Sequence, residues 1–92
     1  MVRIPLSSYE KDRGVALGAL LRDARGTRTV REIAARAGLA EETLRKIERG
    51  AVPTPSLFTI AALTSALDLE LGHLVRNAHE RVPPNPALHH SA

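Results

Sequence analysis

The chain has 92 residues, with thirteen Lys and Arg against ten Asp and Glu, a formal net charge of +3 with His neutral, and no cysteine. That length fits one domain with a modest core, and the missing thiols exclude a disulfide framework, a Cys-based zinc site and a Cys nucleophile. With one Phe, one Tyr and no Trp, there are too few aromatics to stack single-stranded bases. No apolar run reaches the ~18 residues of a membrane span, so a soluble, cytoplasmic protein is expected.

Taken in chain order, residues 1–12 read as an N-terminal arm, because Pro5 argues against helix there. A first helix is expected from about Arg13 to Arg25, with Leu17, Leu20, Leu21 and Ala24 as its apolar stripe and Gly26 as its end. Thr29 then suits an N-cap, and Glu32 three residues on completes a capping-box spacing. Val30, Ile33, Ala34 and Ala37 share one face of this second helix. Gly38 falls where a left-handed turn is needed, and Ala34 is small enough to let the next helix cross closely. That third helix starts near Ala40 and stops before Gly50. It turns Leu44 and Ile47 inward and Glu41, Glu42, Arg45, Lys46 and Arg49 outward.

In the loop A-V-P-T-P, Thr54 is expected to cap a fourth helix whose first residue is Pro55. Leu57, Ile60, Leu63, Thr64 and Leu67 would be its buried side, and Asp68 tolerates the left-handed turn at its end. A fifth helix spans about Glu70 to Ala78, with Leu71, Leu74 and Val75 apolar. Residues 79–92 read as a disordered, proline-rich tail, which leaves 13–78 as the domain. His73 and His79, six apart, face different ways on a helix, and no metal site or cofactor is expected.

Charge is unevenly spread. Eight of the thirteen cations (Arg22, Arg25, Arg28, Arg31, Arg36, Arg45, Lys46 and Arg49) lie between positions 22 and 49, and none lies between Gly50 and Val75. A basic half beside an almost uncharged one suits a surface that meets phosphate on one side and another protein subunit on the other.

Two short helices joined by one tight turn over Thr29–Gly50 form the layout of a helix-turn-helix. The run resembles the phage-repressor (Xre or Cro-type) helix-turn-helix family. Thr29, Ile33, Ala34, Ala37, Gly38, Leu39, Leu44, Ile47, Glu48, Gly50, Pro55, Leu57, Leu63, Ala66 and Leu67 fill the places of that family's pattern. The resemblance covers roughly Ala16 to Val75 and implies an all-α, compact five-helix, lambda-repressor-like domain. It departs from the pattern at Ala40, where Ser or Thr is usual, at Val30, where one common version has Gln, and at Asp68, where Gly is frequent.

The resemblance further implies that the third helix enters the major groove of double-stranded DNA, where each base pair presents a distinct pattern of donors and acceptors. Ala40, Glu41, Glu42, Arg45 and Lys46 are the candidates for base contact. Thr29, Arg31, Arg45, Arg49 and Thr54 are those for phosphate contact, with Arg25 and Arg28 as weaker choices. The two glutamates also have a purely structural reading, since carboxylates in a first turn favour the helix dipole. Glu48 is expected to be structural, tied to nearby backbone or to an Arg. Phe58, Leu69 and Val75 are open between core and subunit interface. Family members often dimerise through this region, so the resemblance implies a homodimeric repressor on a two-fold related operator. The alternative is a protein-interaction module on the same fold, an antitoxin or a coactivator-like bridge. No enzyme is expected, because no nucleophile, metal cluster or phosphate-cradling loop is present.

Overall fold

Periodic apolar residues and well-placed turn residues divide the chain into five α-helices in the computed structural model, which describes residues 8–82. They are α1 (Ser8–Arg25), α2 (Val30–Ala37), α3 (Glu41–Glu48), α4 (Leu57–Ala66) and α5 (Leu71–Glu80). No strand occurs among the described residues, and the fold is all-α. α1 packs against α5 and α3, α2 packs against α3 and α4, and α4 touches α5. Leu21, Ile33, Leu44, Ile47 and Leu63 are the largest fully buried side chains, with Ala34, Ile60, Leu67 and Leu74 completing the core. Leu17, Leu20, Ala24 and Leu69 pack against it from the edge.

α1 begins five residues before the expected start. Residues 8–12, read from sequence as arm, are helical, because Pro5 stands upstream of them and a distant contact holds the first turn. The Tyr9 hydroxyl lies 2.8 Å from Nδ1 of His79 in the last turn of α5. The two rings meet edge-on at 6.2 Å, and the Arg13 guanidinium covers the Tyr9 ring at 5.7 Å. α5 likewise runs past Ala78 to Glu80, and Val82 is buried, so the first residues of the expected tail belong to the packed body. The remainder of the expected arm and tail, 1–7 and 83–92, lies outside the described residues.

Three helices end in the same way. Gly38, at φ 71°, lets its N–H donate to Ala35 O at 3.2 Å and the Leu39 N–H to Ala34 O at 2.8 Å. The pattern repeats after α3 at Gly50, φ 78°, with donors Gly50 and Ala51 and acceptors Ile47 and Lys46. It repeats again after α4 at Asp68, φ 57°, where Leu69 N–H reaches Thr64 O at 2.8 Å. Each left-handed residue satisfies carbonyls that a helix end would leave open.

Two expectations about α4 are corrected. Its N-cap is Ser56, not Thr54: the Ser56 Oγ accepts from the Thr59 N–H at 3.1 Å and donates to Thr59 Oγ1 at 2.9 Å. A hydroxyl stands on each side of Pro55, and only the later one has a partner hydroxyl three residues on. Leu57 is 62% exposed rather than buried, because the core ends one turn deeper, at Ile60. Val75 and Phe58 are 52% and 82% exposed.

Candidate nucleic-acid interface

The candidate surface is built on α3. Its N-cap, Ala40, has extended backbone (φ −69°, ψ 145°) and makes no side-chain cap bond. The first turn instead carries Glu41 and Glu42, whose charges favour the positive helix end. Leu44 and Ile47 are buried beneath. Glu42, Arg45, Lys46 and Arg49, spaced i, i+3, i+4 and i+7, therefore share one exposed stripe on the opposite side. Glu41 flanks it, half-buried, and Ala40 stands exposed at its head.

α3 is held to α1 at unusually close range. A Cβ at Gly18 would overlap the carbonyl oxygens of Ile47 and Glu48, and one at Gly14 would lie 2.6 Å from Pro53 Cα. Only hydrogen at these two positions of α1 lets the end of α3 and its following loop settle against it. Arg25 and Glu48 lock the same junction. Arg25 Nε donates to Glu48 Oε2 at 2.8 Å and its NH2 group to Oε1 at 2.9 Å, in a fork whose side chains are 16% and 8% exposed. The Glu48 hydrogen bonds raise the Arg25 pKa further, outweighing the opposing effect of burial. Arg25 also donates to Arg28 O at 2.7 Å. Arg28 in turn donates to Ala24 O at 2.8 Å and Arg25 O at 3.2 Å, capping α1. These two arginines, weaker phosphate candidates by sequence, are thus engaged in structure.

The outward cations divide into two groups. Arg45 pairs with Glu41 at 3.1 Å, Arg49 with Glu42 at 3.9 Å and Arg36 with Glu32 at 3.7 Å, all at the surface. Lys46 and Arg31 are exposed and have no carboxylate within ion-pair range among the described residues. Thr29 is exposed at the N-terminus of α2, where its hydroxyl accepts from the Glu32 N–H at 3.0 Å. Thr54 is exposed in the loop after α3. It borders an apolar groove of about 280 Å³ lined by Leu17, Pro53, Pro55, Leu57 and Val75.

Sequence reasoning did not single out Gly14, Gly18 or Ser56. The first two carried a signal, small residues four apart on one helix face, and Ser56 carried a Ser-x-x-Thr spacing. Among the described residues no group of three His, Asp or Glu side chains is placed to hold a metal ion, and no single helix is long and apolar enough to cross a membrane.

A family model described as a helix-turn-helix domain matches residues 16–78, from within α1 to Ala78 in α5. No curated protein matches the chain significantly.

Proposed function

The chain belongs to the helix-turn-helix domain family, and from that premise we propose that it is a sequence-specific double-stranded DNA-binding transcriptional regulator of the Xre or Cro type. One observation carries the reading: the stripe of Glu42, Arg45, Lys46 and Arg49 stands on the outer side of α3, clear of the core. A helix of this kind fits the major groove of B-DNA. Lys46 is suited to donate to guanine O6 or N7, Glu41 or Glu42 to accept from cytosine N4, and Ala40 to touch a thymine methyl. Arg45 stands between bases and backbone. Arg49, Arg31, the α2 N-terminus at Thr29, and Thr54 hold phosphate and set the register.

The reading continues to a homodimer acting as a repressor on a two-fold related operator, with half-sites about 34 Å apart. Leu57 and Phe58 on the uncharged α4, with Val75 on α5, are exposed and are the apolar surface such a dimer would cover. The protein would work in the cytoplasm, without a cofactor and without catalysis.

Selection from a random double-stranded DNA pool at near-physiological salt, followed by sequencing, tests the proposal. An enriched inverted repeat is the expected result. Recovery of no motif, with binding that vanishes as salt rises, would reject sequence-specific regulation and favour the protein-interaction module.

A further inference from the structure

Two of the arginines that would bind DNA already face a carboxylate, Arg45 at 3.1 Å from Glu41 and Arg49 at 3.9 Å from Glu42. Over residues 30–49 there are five cations (Arg31, Arg36, Arg45, Lys46 and Arg49) and four carboxylates (Glu32, Glu41, Glu42 and Glu48). Three of the cations are held by a carboxylate on the same surface: Arg36 by Glu32, Arg45 by Glu41 and Arg49 by Glu42. With its flanking Glu41, the stripe proposed to meet phosphate carries three cations against two carboxylates, a net charge of only +1. Non-specific attraction to a duplex scales with the number of phosphates that cations neutralise, so this arrangement mutes it.

We infer that Glu41 and Glu42 are selectivity residues that work by exchange, each releasing its arginine to phosphate when the carboxylate gains a base-edge donor. The inference rests on the DNA-binding reading and deepens it. At a sequence that presents a cytosine N4 amino group to the carboxylate, Glu41 or Glu42 trades an arginine for that donor, and Arg45 or Arg49 passes to the adjacent phosphate. At a sequence that presents acceptors, the carboxylate keeps its arginine, because release would leave a bare anion facing acceptors and phosphate. Base reading and backbone clamping thus become one event. The pairs have suitable strength: exposed ion pairs contribute at most about 1 kcal/mol, a factor of roughly five each. They hold without trapping.

The test measures binding of wild type, Glu42→Gln and Glu41→Gln/Glu42→Gln to a labelled duplex of random sequence and to the selected duplex, by fluorescence anisotropy across a salt series. The double variant should bind the random duplex about tenfold tighter, with a salt slope steeper by up to roughly 1.8, and should discriminate less between the two duplexes. Arg49→Ala separates exchange from simple loss of repulsion. In that background Glu42→Gln should bring little further gain, whereas a gain that persists in full would overturn the exchange. Unchanged random-duplex affinity and slope in the double variant would overturn it as well, while leaving DNA binding by the wild type intact. Failure of every protein to bind either duplex would overturn both readings. Circular dichroism confirms folding of each variant. If loss of the acidic first turn unfolds α3, the same comparison is made with Ala40→Ser added to supply the missing cap.

Discussion

α2–α3 and α4–α5 are built on opposite plans. The first pair consists of two eight-residue helices, too short to persist alone, dense in charge, and dependent on Ile33, Ala34, Leu44 and Ile47 for anchorage. α4 has no charged residue over Leu57–Ala66, buries Ile60, Leu63 and Thr64, and still leaves Phe58 and Leu57 outside. Surplus charge on α2–α3 and surplus apolar surface on α4 suit contacts of different chemistry. A domain of this size can separate two kinds of surface by keeping every charged residue off one of its helices, here α4.

The largest expected effect breaks the support of the charged half. Glu48→Ala leaves the mostly buried Arg25 guanidinium without its carboxylate and should cost about 3 kcal/mol in chemical denaturation. Glu32→Ala removes only a surface pair and should stay within about 0.5 kcal/mol. Equal costs would mean that the Arg25–Glu48 fork does not hold α3. Next, Lys46→Ala should cost about 1 to 3 kcal/mol on the selected duplex and relax base preference at one position, with the melting temperature unchanged. An unaltered binding profile would remove Lys46 from the reading set.

On the apolar half, Phe58→Glu should shift the protein toward monomer in analytical ultracentrifugation while changing stability by no more than about 0.5 kcal/mol. A dimer that persists in the variant would remove Phe58 from the proposed interface, and a monomeric wild type would reject the dimer itself. The smallest effect concerns Glu70, whose Oε2 accepts from the His73 N–H at 2.8 Å at the start of α5. That bond holds its carboxyl below the ordinary value of 4.5. A carboxyl with a lowered folded pKa contributes stability above its unfolded pKa and loses it as pH falls through the folded pKa. Glu70→Gln should therefore be less stable than wild type at neutral pH, with the gap closing below pH 4.5. A gap of constant size across that range would show that the charge of Glu70 contributes nothing.

Local signals made much of this architecture readable. The periodicity of Ile33, Ala34, Leu44 and Ile47, the Thr29 cap, and the left-handed residues Gly38 and Asp68 are all set within a few positions of one another. The common stripe of Glu42, Arg45, Lys46 and Arg49 follows from helical spacing alone. The parts that were not legible depend on distance along the chain. The early start of α1 rests on Tyr9 meeting His79, seventy positions away, and the partner of Glu48 lies twenty-three positions back. At Pro55 the difficulty was degeneracy, since Thr54 and Ser56 are both competent caps and only Thr59 decides between them. The exposure of Leu57 depends on where the core ends, a property of the assembled helices and of no single stretch.

The bond between Tyr9 and His79 has a topological consequence. It brings the first turn of α1 beside the last turn of α5, so the polypeptide enters and leaves its folded body at one place. A short linker joining those ends would close the chain into a ring while leaving the five helices in position.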